Sequence, residues 1–295
     1  MFNAGSLAAP FRDLLEAFGR ANPDVQIIQE SAGSLESARK ITELGRVPDV
    51  LGVADVNVMS ALIVPTHATW YAGFARNAMV LAYSDRSRAA DSITGENWHE
   101  VLRRPGVRVG RSDPALDPNG YRTLMVYQLA ERHYGEPGLA GHLLEASPER
   151  YVRPKEADLV ALVQAGELDY VWSYRSLAST VGLRFLQLPA EVDLSDPGRA
   201  DWYSQAQVTL PGASMEGSDS VTISGEPILY GVTVLREAPD PDLGLRFIRF
   251  LFSEEGRAIL ERNGFLVPDE PFLAGQPPAD LLPTPSASST ERDAQ

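Results

Sequence analysis

The residues with the most to offer chemically lie at 110–134, GRSDPALDPNGYRTLMVYQLAERHY. This stretch reads as the end of a buried strand (Val107, Val109), a tight polar loop and then a helix. Leu124, Tyr127, Ala130 and Tyr134 recur on one helical face. In Asp117-Pro118-Asn119-Gly120 the proline fixes φ, while Asn and Gly tolerate φ > 0. Free N–H groups and the helix dipole at such a junction favour an anion, and this loop also presents the Asp117 carboxylate. Ser6, Ser34, Glu156 and Tyr174 stand at comparable places, each where a strand gives way to a helix. Taken singly, each reads more readily as an ordinary helix cap. Taken together, five such junctions suit a cleft that grips an oxyanion with backbone N–H groups and hydroxyls.

Other chemistries find little support. The four histidines (His67, His99, His133, His142) show no metal-ligand spacing, and cysteine is absent, which removes thiolate sites and disulfides. There is no nucleophile elbow, phosphate loop or dinucleotide fingerprint, and no serine has an evident partnering base. A net charge of −14 without a basic stripe argues against nucleic acid. It leaves a small anion open, since surface charge is screened within roughly 8 Å at physiological salt. No apolar run approaches membrane-spanning length.

The elements that must position these residues alternate. Helices are expected at 6–20, from Ser34 (as N-cap) to Leu44, at 96–102, from Asp117, near 139–145, from Glu156, from Ser173, at 241–252 and at 253–263. Strands are expected at 25–29, 49–53, 79–83, 168–172, 207–210 and 228–235, with a Gly/Ser-rich turn at 212–224. At 295 residues two lobes are the better expectation. The boundaries fall at 1–80 plus 190–275 for one lobe and 81–189 for the other, with strands 79–83 and 228–235 as hinge strands. From Gln276 onward Pro, Ser and Ala dominate, and disorder is expected. The chain opens abruptly, Met1-Phe2-Asn3-Ala4-Gly5, in what should be a first strand and with no leader segment.

Several stretches carry a resemblance. They include Phe2-Asn3-Ala4-Gly5-Ser6-Leu7, Ser31-Ala32-Gly33-Ser34, Asp117-Pro118-Asn119-Gly120-Tyr121-Arg122, Arg153-Pro154-Lys155-Glu156, Ser173-Tyr174-Arg175-Ser176 and Pro227-Ile228-Leu229-Tyr230-Gly231. In these the chain resembles the periplasmic or lipid-anchored molybdate/tungstate-binding proteins of ABC transporters, in the branch that holds the metal octahedrally. The resemblance covers roughly residues 2–270. It implies an α/β, two-lobed type II periplasmic-binding-protein fold with mostly parallel sheets. It also implies an oxyanion site at Gly5, Ser6, Ser34, Asp117, Pro118, Asn119, Glu156 and Tyr174, with Asp117 and Glu156 as ligands to Mo or W. Position 119 is Asn here, where that family often has Cys; backbone donation would survive the change. The implied partners are the anion and the permease subunits of the transporter. The implied protein is an extracytoplasmic monomer, has no cofactor and no catalysis, and its leader is absent from this chain. The alternatives are a receptor or sensor for sulfate or phosphate, or an enzyme on the same architecture.

Overall fold

The computed structural model describes residues 1–211 and 220–282. The chain divides into two compact α/β units, one of residues 1–75, 230–262 and 267–295, the other of 76–229 and 263–266. No helix among the described residues is long and apolar enough to cross a membrane.

The first unit holds a six-stranded sheet in the order Phe272–Gly275, Trp70–Arg76, Leu229–Val234, Val50–Val53, Phe2–Ala4, Glu30–Ala32. The last three strands are parallel, with Phe2 opposite both Leu51 and Glu30. Helix Ala8–Ala21 covers one face because Phe11, Leu14, Leu15 and Phe18 recur on a single stripe and are all buried. Phe11 and Phe18 meet the ring of Phe247 edge-on at 6.1 and 5.6 Å. Gly52 permits this approach, since a Cβ there would stand 2.7 Å from Phe11. Helix Ser34–Thr42 covers the other face, with Ala38 and Ile41 against Phe2, Leu51 and Val53.

The strand expected at 25–29 forms instead at Glu30–Ala32. It pairs with the first strand from Phe2 opposite Glu30, and Met1 reaches just ahead of it, donating to Ile28 O at 2.7 Å and accepting from Glu30 N–H at 3.1 Å. The expected disorder from Gln276 is also revised. Gln276 N–H donates to Thr69 O, Leu281 is buried, and Asp280 holds Arg249 at 2.7 Å. The remainder of that expectation, 283–295, lies outside the described residues.

The second unit holds a five-stranded sheet in the order Val152–Arg153, Val109–Ser112, Tyr170–Tyr174, Met79–Tyr83, Arg184–Gln187. The first three strands are parallel and Met79–Tyr83 runs antiparallel to both its neighbours, so both sheets are mixed, each built on a parallel trio. A separate hairpin pairs Gln207–Pro211 with Ser220–Ser224. The turn expected at 212–224 therefore ends in a strand, and 212–219 lies outside the described residues.

Two boundaries differ from expectation. Met79–Tyr83 lies wholly inside the second sheet, because it pairs with strands on both sides. The chain passes between units at Ala75–Arg76 and Leu229–Tyr230 instead, and again at Arg262–Asn263 and Leu266–Val267. Residues 190–229 belong to the second unit, tied there by Met79 N–H to Asp193 O (2.8 Å) and Asn77 N–H to Ile228 O (3.1 Å).

Candidate functional site

In the second unit the parallel trio fixes the geometry. Val109 is opposite Tyr170 and Ser112 opposite Arg153, so three strands end at one edge of the sheet. Helices Pro118–Tyr134, Glu156–Gln164 and Arg175–Thr180 follow those ends. Open α/β sheets place ligands at this carboxyl edge. Asp117, Pro118, Asn119, Glu156 and Tyr174 all come to it.

Asp117 is the N-cap of its helix: Oδ1 accepts from Asn119 N–H at 2.9 Å. Its second oxygen reaches 39 residues along the chain and accepts from Glu156 N–H at 2.8 Å. One carboxylate thus serves two helix N-termini and sets the two acidic residues side by side. Pro118 occupies the first helical position, where its missing N–H costs nothing; it has no donor to offer an anion. The Asn119 backbone N–H expected for ligand donation is engaged by Asp117. Its side chain is fully buried, with Nδ2 unpartnered. Gly120 is required by close approach, because a Cβ there would lie 2.6 Å from the backbone of residues 112–114.

Glu156 does not cap its own helix. Oε1 accepts from Ser173 Oγ–H and from Tyr174 N–H, both at 2.6 Å. The residue is 9% exposed. Burial pushes its carboxyl up to about 8; hydrogen bonds from Ser173 and Tyr174 oppose this, and the nearby Asp117 charge adds to it. At neutral pH the ligand-free protein therefore carries a protonated Glu156 next to Asp117.

Ser173 and Tyr174 end a strand that runs two residues further than expected, and the helix starts at Arg175. Trp172, one step earlier, anchors the strand: its Nε1–H donates to Tyr127 Oη at 2.8 Å, and that hydroxyl pairs with Ser147 at 3.0 Å. Because Tyr127 is on the Asp117 helix, this buried network locks helix to strand. Tyr174 Oη accepts from Arg122 Nη1 at 2.7 Å. Arg122, not singled out in the sequence, thereby ties the Asp117 helix to the end of this strand.

In the first unit a second parallel trio ends at Gly5-Ser6, Gly33-Ser34 and Ala54-Asp55. Gly5 and Ser6 are exposed in a 3-10 turn. The nearest atom to a Cβ at Gly5 would be Ala32 O at 3.9 Å, so the fold itself does not demand glycine there. Ser34 is the first helical residue, after Gly33 at the N-cap. Its Oγ accepts from Ala54 N–H at 3.0 Å, which leaves the hydroxyl proton to donate elsewhere. Three residues earlier, at the end of its strand, Ser31 Oγ accepts from buried Asn3 at 2.9 Å.

Among the described residues no three His, Cys, Asp or Glu side chains gather as a cation site. Two carboxylates alone can instead complete the coordination of a metal that arrives already holding oxygens. A cavity of about 570 Å³ beside Arg111, Leu144 and Glu149 includes neither carboxylate.

The model of the family described as bacterial extracellular solute-binding protein matches residues 1–266. An uncharacterized solute-binding protein of Petrotoga mobilis is 42% identical, over 90% of this chain and 82% of its own length. A molybdate/tungstate-binding protein of Pyrococcus abyssi is 37% identical over 95% of this chain and 88% of its own. Among solved structures, the periplasmic molybdate-binding protein of Azotobacter vinelandii has the same fold. It superposes with a TM-score of 0.60 at 14% identity, covering 91% of this chain and 98% of that one.

Proposed function

The chain belongs to the bacterial extracellular solute-binding proteins, and from that premise we propose that it is the receptor of an ABC importer for molybdate or tungstate. In this reading the anion is held by Gly5, Ser6, Ser34, Asp117, Glu156 and Tyr174, while Pro118 and Asn119 shape the turn that carries Asp117. The loaded protein, a monomer outside the cytoplasmic membrane, then delivers it to the permease. It catalyses nothing.

The observation that carries the reading is the Asp117–Glu156 pair, joined by the 2.8 Å bond from Glu156 N–H to Asp117 Oδ2. Once Glu156 gives up its proton, two charged carboxylates beside a dianion suit neither sulfate nor phosphate. Unit charges 4 Å apart repel by about 4 kcal/mol at an effective dielectric of 20, more than a hydrogen bond returns. Hexavalent molybdenum and tungsten relieve this by expanding from four oxygens to six, with the carboxylates as hard ligands. The same pair that repels the smaller oxyanions thereby selects the larger ones.

One observation favours a second reading. A protonated Glu156 can donate a hydrogen bond to any tetrahedral oxyanion, sulfate included. Calorimetry against molybdate, tungstate, sulfate and phosphate separates the two, together with X-ray absorption on the loaded protein. The coordination reading expects six oxygens around the metal, two of them longer. Four equal short distances, or sulfate bound as tightly as molybdate, would refute it.

A further inference from the structure

We propose that the cavity of about 570 Å³ in the second unit binds a small zwitterion, an amino-acid-like molecule whose carboxylate goes to Arg111 and whose ammonium group goes to Asp113 and Glu145. The inference goes beyond the oxyanion reading and does not rest on it, since the cavity includes neither Asp117 nor Glu156.

Strand Val109–Ser112 sets the arginine. A Cβ at Gly110 would meet Leu168, Leu159 and Val171 on one face of the sheet, so Arg111, the next residue, turns to the other. There it shares the cavity wall with Leu124, from the helix that Asp117 caps, and Leu144, near the end of helix Leu139–Ala146. Arg111 is 4% exposed, and its Nη2 donates to Glu149 Oε1 at 2.6 Å. Its Nε is buried with no hydrogen-bond partner among the described residues. In a guanidinium Nε–H and one N–H of Nη2 point the same way and match the two oxygens of a single carboxylate. Glu149 touches that fork with one oxygen and leaves the inner donor unpaired, a cost that a bidentate ligand removes. The Glu149 side chain is itself 85% exposed, so an incoming carboxylate can displace it into water at little cost.

The rest of the lining decides what else the ligand carries. Among the described residues Arg111 is the one cation on the cavity wall, and Asp113, Glu145 and Glu149 are the acids. A simple anion entering to meet Arg111 would be repelled by them. A cationic amine on the same molecule turns that repulsion into attraction. Asp113 is held ready for it, because its Oδ1 accepts from Ala115 N–H at 2.9 Å and so fixes the carboxylate. Leu124, Leu144 and the two prolines, Pro114 and Pro148, give apolar walls against which a small hydrocarbon side chain can pack. Ser147 closes the floor without competing for the ligand: its Oγ pairs with Tyr127 Oη at 3.0 Å and donates to Leu143 O at 3.1 Å.

The test is titration calorimetry of the full chain with L-leucine, isocaproate, which lacks the amine, and isopentylamine, which lacks the carboxylate. L-Leucine should bind about tenfold tighter or more than either half, since each half forfeits a charge-assisted bond. Glu149→Gln removes the competing carboxylate and should tighten isocaproate several-fold. Asp113→Asn/Glu145→Gln should weaken L-leucine by about tenfold and leave isocaproate no weaker. Arg111→Met should abolish binding of both. If that variant does not fold, Leu144→Trp, at a position 43% exposed, fills the cavity and should abolish binding in its place. L-Leucine held no tighter than its two halves overturns the proposal. So does a Glu149→Gln protein that binds isocaproate no better than the parent, or parental affinity for L-leucine in Asp113→Asn/Glu145→Gln or Leu144→Trp.

Discussion

Glu156→Gln is the sharpest perturbation of this site. Burial moves the carboxyl from an ordinary 4.5 to about 8. At about 1.36 kcal/mol per pKa unit, ionising it in the folded protein costs of the order of 4–5 kcal/mol. Between about pH 4.5 and 8 the folded chain keeps a proton at Glu156 that the unfolded chain has released. Stability therefore falls as pH rises through that window, and the full cost is present above it. At pH 7 the loss is about 3 kcal/mol. Glutamine removes the ionisation while keeping the local bonds, since Ser173 and Tyr174 both donate to the same oxygen, which the amide carbonyl can replace. Asp193, also buried and raised to about 6, contributes a similar slope in both proteins and cancels in the difference. Urea denaturation of ligand-free parent and variant at pH 5, 7 and 9 reads the effect. The variant should match the parent near pH 5 to within about 1 kcal/mol and pull ahead by about 3 kcal/mol at pH 7 and more at pH 9. Curves that stay parallel from pH 5 to 9, or a variant that falls behind at pH 9, would refute the reasoning.

Affinity should carry the same proton with a different sign for each reading. If Glu156 coordinates the metal, its proton must leave, and molybdate affinity should rise roughly tenfold per pH unit up to about 8, then level; donation from a protonated Glu156 predicts a fall through the same pH, and calorimetry at pH 6, 7 and 9 distinguishes them. Asp117→Asn keeps an oxygen for only one of the two N–H groups that Asp117 serves, so it should cost about 1–2 kcal/mol of stability, and Asp117→Ala, which serves neither, about 1 kcal/mol more; both should abolish molybdate binding. Gly120→Ala places a Cβ 2.6 Å from the backbone of residues 112–114, and thermal unfolding should show about 1–3 kcal/mol of destabilisation.

What the sequence determined by itself was local. The helix from Pro118 was legible because Asp at the N-cap, Pro at the first position and an apolar stripe are signals within one segment. The strand Met79–Tyr83 was legible in its bounds for the same reason, as a short apolar run. Its role was not, since only pairing on both sides shows that it lies inside the second sheet rather than between units. The carboxyl-edge junctions at Gly5, Ser34, Asp117 and Glu156 could be read as junctions, yet what each side chain does there depended on residues far along the chain. Ser34 accepts from Ala54, twenty positions away, in place of capping its helix. Asp117 reaches Glu156 across 39 positions and Arg122 reaches Tyr174 across 52, because parallel strands bring their ends to one edge whatever the sequence between them. Propensity and periodicity act over a turn or a strand; register, burial and the proton on Glu156 are set by what the folded sheet places alongside, and those only the tertiary structure decided.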